Sequence, residues 1–192
     1  MSGIRGILLA AGASQRFGAN KLLYPLPAGT DQAGTPIALA AARNLAAALP
    51  NPVAVVRPGA KKLAQLLREA GCEVVTCRNA GEGMGRSLAS GVRASRDASG
   101  WVVALADMPF VRPQTIRSIA DGLLEGATIA AASFDAVRGN PVGFARRFGD
   151  DLVHASGDEG ARRILAEHPD WITVYATDDP GVLRDIDTPA DL

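Results

Sequence analysis

Two cations, Arg16 and Lys21, follow the first apolar run of the chain within one loop, Ala10-Ala11-Gly12-Ala13-Ser14-Gln15-Arg16-Phe17-Gly18-Ala19-Asn20-Lys21. Small residues from Ala10 to Ser14 let backbone N–H groups approach an anion closely. Arg adds a planar fork for phosphate oxygens and Lys a movable point charge. The segment reads as a nucleotide phosphate cradle, with an ordinary basic turn as the alternative. It is not a Walker loop, because no Gly-Lys-Ser or Gly-Lys-Thr follows Gly18, and a single Gly12 before two cations does not spell a dinucleotide fingerprint.

Further along, Asn79-Ala80-Gly81-Glu82-Gly83-Met84-Gly85-Arg86-Ser87-Leu88 places three glycines ahead of a helix. Its exposed backbone would suit a base or ribose edge, or it is a plain turn. Asp107 ends a continuous apolar run, Trp101 to Ala106, and Asp187 precedes Thr188-Pro189 near the C-terminus. Each carboxylate could hold Mg²⁺ in a crevice, and each could instead cap a turn or helix. Arg138-Gly139-Asn140-Pro141 and Ser156-Gly157-Asp158-Glu159-Gly160-Ala161-Arg162-Arg163 bring arginines beside glycine turns, suited to a second anionic ligand or to a solvated helix start. His154 and His168 lack metal-pair spacing, and Gly-x-Ser-x-Gly is absent, which argues against a zinc site and a serine hydrolase.

The elements that must hold these residues alternate. Strands are predicted at Ile4 to Leu9, Val53 to Val56, Glu73 to Thr76, Trp101 to Ala106, Thr128 to Ser133, Val142 to Phe144 and Ile172 to Tyr175. Helices are predicted at Pro36 to Leu49, Ala60 to Ala70, Ser87 to Arg96, Arg112 to Leu124 and Glu159 to His168. Thr35-Pro36 is a helix start signal and Gly71 a helix stop. Such alternation implies a largely parallel sheet covered on both faces, with ligands beyond the carboxyl ends of the strands. The stretch from Pro25 to Gly34 is too rich in proline, glycine and small polar residues for a regular element. It is expected to be a mobile surface loop, either a tolerated insertion or a flap over a neighbouring site. Cys72 and Cys77 flank one strand on opposite faces and are expected as buried, reduced thiols.

The chain has 192 residues, and 20 Lys+Arg against 20 Asp+Glu give a formal net charge of zero. One domain spanning residues 1–192 is expected, since a chain of this length buries about 70% of its unfolded surface in a single core. The hydrophobic fraction of 47% with 21% charged residues excludes disorder. Balanced charge argues against nucleic-acid binding, and no run reaches a membrane span or forms a signal peptide, so a cytoplasmic setting without membrane partners is expected.

Leu9-Ala10-Ala11-Gly12-Ala13-Ser14-Gln15-Arg16-Phe17-Gly18 with Lys21, Gly83-Met84-Gly85-Arg86-Ser87-Leu88, Asp107-Met108-Pro109, Gly157-Asp158-Glu159-Gly160-Ala161-Arg162 and Asp185-Ile186-Asp187-Thr188-Pro189 together resemble the MobA-like nucleotidyltransferases. The order of motifs is most similar to the molybdenum cofactor cytidylyltransferase (MocA-type) branch. The resemblance implies an α/β, three-layer Rossmann-like nucleotidyltransferase fold with a mostly parallel central sheet and one reversed strand. It implies transfer of CMP from CTP, with Mg²⁺, to a molybdopterin-type phosphate acceptor, giving a cytosine dinucleotide cofactor and pyrophosphate. A molybdenum hydroxylase is the implied recipient.

Carried over by position, Arg16, Lys21 and Asp107 become the catalytic residues, with Arg16 and Lys21 on the triphosphate. The backbone of Leu9, Ala10, Ala11, Gly12 and Ala13 lies beside base and phosphates, while Gly83, Ser87 and Leu88 border cytosine and ribose. Asp107 and Asp187 take the metal, and Arg138, Asn140 and Arg162 face the acceptor. The guanylyl branch typically spells Leu-Ala-Gly-Gly where this chain has Leu9-Ala10-Ala11-Gly12, which favours CTP over GTP. Three departures accompany the match: Gly139-Asn140-Pro141 replaces the usual Gly-His-Pro, the loop after Lys21 is longer, and the final helix is abbreviated after Asp191. The rival readings are a guanylyl, sugar-phosphate or polyol-phosphate nucleotidyltransferase of the same fold, and a non-catalytic chaperone that holds the cofactor.

Overall fold

A computed structural model describes residues 3–12, 17, 20–158 and 160–192. Its centre is a seven-stranded sheet of order β3-β2-β1-β4-β6-β5-β7, formed by β1 (Ile4–Ala10), β2 (Val53–Val56), β3 (Glu73–Thr76), β4 (Gly100–Leu105), β5 (Ile129–Phe134), β6 (Val137–Ala145) and β7 (Ile172–Ala176). Every pairing is parallel except those of β6, which runs antiparallel to both β4 and β5. The carboxyl ends of the other six strands therefore share one edge of the sheet.

Helices α1 (Ile37–Ala48), α2 (Lys61–Glu69), α3 (Met84–Ala94), α4 (Pro113–Leu124), α5 (Gly149–Val153) and α6 (Arg162–Glu167) complete the layers. Successive residues of β1 serve opposite faces, as period two requires. Leu8 packs with Leu45 of α1, Leu67 of α2 and Ile119 of α4. Ile7 packs on the other side with Leu88 and Val92 of α3 and Leu152 of α5. The fold is thus the mostly parallel, three-layer Rossmann-like arrangement expected from the motifs.

Several boundaries differ from the sequence reading for identifiable reasons. β6 begins at Val137 rather than Val142, because Gly139-Asn140-Pro141 reads locally as a turn. Proline is tolerated there beside an irregularity in the β5–β6 register between Ala131 and Ser133. α3 starts at Met84, before the predicted Ser87, and α6 is confined to Arg162–Glu167 within the expected 159–168 span. Glu159 lies outside the described residues. Cys72 and Cys77 are free, buried and divided between the two cores, and burial pushes the Cys72 thiol up to about 11.

The stretch from 25 to 34 is a surface loop without a regular element, as expected, and it is tied down by hydrogen bonds. Leu26 donates its N–H to Thr35 O at 2.9 Å, Gly34 returns one to Leu26 O at 2.9 Å, and Ile37 donates to Tyr24 O at 2.9 Å. Leu26 is buried with Phe17, Ile37, Ala40 and Ile186. Gln32 Nε2 donates to Asn44 Oδ1 at 3.1 Å, and Asn44 Nδ2 donates to Pro109 O at 2.9 Å and Val111 O at 3.0 Å. The loop is folded back onto α1 through Gln32 and Asn44, and Asn44 of α1 itself reaches the turn following Asp107. Among the described residues, no helix is long and apolar enough to cross a membrane.

Candidate active site

Lys21 opens a 3-10 turn, Lys21–Leu23, closed by Tyr24 N donating to Lys21 O at 3.0 Å and seated by buried Leu22. Its side chain is drawn inward, and the residue is only 7% exposed. The Nζ donates to Asp107 Oδ2 and to Asp187 Oδ1, each at 3.0 Å. Residues widely separated in sequence therefore meet at one ammonium.

Asp107 reaches this point because β4 is central and delivers its carboxyl end beside that of β1, where Ala106 N donates to Leu9 O at 3.1 Å. Ile186 N donates to Asp107 O at 3.0 Å, which lays the C-terminal segment along the end of β4. The carboxylate of Asp191 then accepts from Asp187 N at 3.0 Å, Thr188 N at 2.7 Å and Thr188 Oγ1 at 2.9 Å. The alternative of Asp187 as a cap is thereby answered: Thr188 is the N-cap, in a capping box closed by Asp191, and the Asp187 side chain is turned to Lys21. Asp107 likewise spends its carboxylate on Lys21.

The electrostatics follow from this contact. Burial alone would push the Lys21 ammonium down, but hydrogen bonds and charge from Asp107, then from Asp187, outweigh it and hold the group above the usual lysine value. Asp191 is held below the usual carboxylate value, first by the Thr188 N–H, then by the Thr188 hydroxyl and the Asp187 N–H.

The trio stands in an open crevice of about 800 Å³ at the carboxyl edge, lined also by Leu9, Ala11, Gly12, Gly83 and Ser87. Its volume is in the range of small-ligand sites. The glycines of the second loop have a packing reason. A Cβ on Gly83 would lie 2.3 Å from the Gly157 carbonyl carbon, and one on Gly85 would lie 2.5 Å from Ser156 N. Gly85 N also donates to Gly157 O at 2.9 Å. Two loops thus meet backbone to backbone, and Asp158 from the second one joins the crevice wall.

Not every carried-over residue arrives at the crevice. Leu88 is 1% exposed and packs in the core with Ile7 and Val92, so its side chain is corrected from ribose border to core. Ala10 is also a core side chain, leaving only its backbone for a ligand. Asn140 lines a small neighbouring cavity with Leu105, Met108 and Asn44. Arg138 and Arg162 are exposed and are not among the described residues that line the crevice. Ala13 and Arg16 lie outside the described residues.

Sequence reasoning missed Arg57, Pro58 and Arg78, which also line the crevice. The signal was present: Arg57 directly follows β2, and Arg78 stands just beyond β3, at the edge where parallel sheets bind ligands. The arrangement can place cations around a polyanion and offer two carboxylate oxygens to a hard cation. Among the described residues, no group of three His, Cys, Asp or Glu could hold a metal by itself. This donor set fits an ion bound through one or two carboxylates with substrate phosphates and water completing its shell, the ordinary habit of Mg²⁺.

Comparison with known proteins agrees with this geometry. A family model described as the MobA-like NTP transferase domain matches residues 6–172. The purine catabolism protein PucB of Bacillus subtilis (strain 168) is 32% identical over 195 residues, covering 96% of this chain and 91% of that protein. The crystal structure of Rv0371c from Mycobacterium tuberculosis H37Rv superposes with a TM-score of 0.81 at 26% identity, covering 99% of this chain and 96% of the other. A complex of Rv0371c with manganese gives a TM-score of 0.74 at 23% identity, over 99% and 95% of the two chains. CMP:2-keto-3-deoxy-manno-octonic acid synthetase complexed with CTP shares the fold, with a TM-score of 0.71 at 14% identity over 98% and 95% of the chains.

Proposed function

The chain belongs to the MobA-like NTP transferase family and is a nucleotidyltransferase, and we propose that it transfers CMP from CTP to a molybdopterin-type phosphate acceptor. The observation that carries the reading is the convergence of Lys21, Asp107 and Asp187 in one open crevice at the carboxyl edge of the sheet. In this reading residues 1–192 act as one cytoplasmic domain, and a molybdenum hydroxylase receives the finished dinucleotide cofactor.

The terminal phosphate of the acceptor attacks the α-phosphorus of CTP in line. A new P–O bond forms, the bond to the β-phosphate oxygen breaks, and pyrophosphate leaves. Asp107 and Asp187 would hold Mg²⁺, which supplies Lewis-acid polarisation of the α-phosphate when bound. Lys21, with Arg16, offsets the charge that develops on the departing pyrophosphate. An ionised phosphate nucleophile needs no strong general base, consistent with a crevice that has carboxylates and cations but no His or Cys among its described lining residues. The crevice walls position the two phosphates, which is where most of the rate gain in such a reaction arises.

The preference for CTP is supported by Ala11, which lines the crevice and is 7% exposed. Its methyl group takes space that a glycine at the same place would leave to a larger base. Arg57 and Arg78 add donors to the crevice wall. Pyrophosphate release measured with CTP, GTP, ATP and UTP, each with Mg²⁺ and molybdopterin, tests the assignment, with mass analysis of the product. CTP is expected to lead. A clear GTP preference refutes the cytidylyl reading, and intact CTP in the presence of metal and acceptor would favour the cofactor-holding chaperone.

A further inference from the structure

Lys21 stands where a cation is wanted. Its ammonium is 3.0 Å from an oxygen of Asp107 and 3.0 Å from an oxygen of Asp187, and the residue is 7% exposed. Those carboxylates are the ones argued above to hold a divalent ion. An ammonium at contact distance from both offsets part of their charge, occupies one oxygen of each, and would repel a second cation brought beside it. A single ammonium also cannot span both carboxylates and fully engage a triphosphate.

The geometry points to a second role for Lys21, coupling metal binding to nucleotide binding: a resident counter-ion on the two carboxylates, withdrawn onto the triphosphate when the nucleotide arrives. This rests on the reading of the crevice as a metal–triphosphate site. The surroundings allow the motion to be confined to one side chain. The Lys21 backbone is held in its 3-10 turn by Tyr24 N and anchored by buried Leu22, so only the four-carbon stem needs to swing. The backbone that carries each carboxylate is anchored, at Asp187 by its N–H donating to the Asp191 carboxylate and at Asp107 by its carbonyl accepting from Ile186 N. By reciprocity, the nucleotide must strengthen metal binding by the factor with which the metal strengthens nucleotide binding.

The test uses the full chain as wild type, Lys21→Met and Lys21→Arg. Mn²⁺ affinity without nucleotide is read from the free-ion paramagnetic resonance signal, and CTP affinity by calorimetry in Mg²⁺ and in EDTA. Lys21→Met is expected to bind Mn²⁺ alone about 10-fold tighter than wild type, within the usual 5- to 150-fold span of site couplings. The ratio of CTP affinities with and without metal should shrink by the same factor, while Lys21→Arg keeps the weak metal-alone binding. Equal Mn²⁺ affinity in wild type and Lys21→Met, with matching thermal melts, overturns the coupling. Failure of wild type and Lys21→Arg to show any Mg²⁺ enhancement of CTP binding, with no Mn²⁺ bound by any variant, overturns the metal–triphosphate reading and the coupling with it.

Discussion

The β1–β4 side of the molecule draws its candidate residues together, and the β6–α6 side does not. Lys21, Asp107 and Asp187 meet within hydrogen-bond distance, whereas Arg138, Asn140 and Arg162 are dispersed over exposed surface and a small side cavity. The cause is strand direction. β1 and β4 are adjacent and parallel, so whatever follows them in sequence emerges at the same edge. β6 is reversed, so it is the residues at its beginning that approach that edge. Asn140, just before the Val142 partner of Val103, comes close to the end of β4, while Arg138 is carried out along the β5–β6 hairpin.

The comparison breaks most sharply at Asp107. Asp107→Ala should fold with a near-native melting curve and lose at least about 10³-fold in turnover, since it removes a charge that acts on the developing transition state. Normal turnover would remove it from the site. The missed arginines sharpen the same side: Arg57→Ala and Arg78→Ala should each raise the CTP KM about 10-fold, the equivalent of one charged hydrogen bond, with little change in kcat. An unchanged KM would leave both as solvated wall residues.

A smaller effect is expected where a residue acts through another. Asp191→Asn should weaken metal-dependent CTP binding by a few fold, because the anchor on Asp187 N falls from a charged to a neutral acceptor. The Asp191 carboxylate is lowered in the folded chain, so its contribution to stability is present above the usual carboxylate range and is lost as pH falls through the lowered value. A pH series of thermal melts should therefore show an acid-side component in wild type that is missing from Asp191→Asn. The smallest change concerns the other half: Arg138→Ala and Arg162→Ala should leave the CTP KM within about two-fold, as exposed charges remote from a ligand do. If either raises the acceptor KM, the acceptor extends to that surface; if both raise the CTP KM, the division between the halves is wrong.

Legibility followed interaction range. β2 and β3 carry their whole pattern locally and occur at the boundaries read from sequence, Val53–Val56 and Glu73–Thr76. β6 did not, because Gly139-Asn140-Pro141 carries a turn signature that pairing with β5 and β4 overrides. Leu88 shows the same limit at the site. It adjoins crevice-lining Ser87 in sequence, yet one step along a helix turns a side chain by about 100°, here into the core.

The sequence by itself determined the alternation of strands and helices, the separation of Cys72 and Cys77, and the chemical types available for a metal–phosphate site. These depend on period and composition, which are local properties. Only the tertiary structure decided that the segment after Lys21 folds back onto α1, that Thr188 and Asp191 form the capping box of the last turn, and that Lys21 sits between both carboxylates. The last of these is a contact between segments distant in the chain, and the parallel sheet selects it by bringing their ends to one edge.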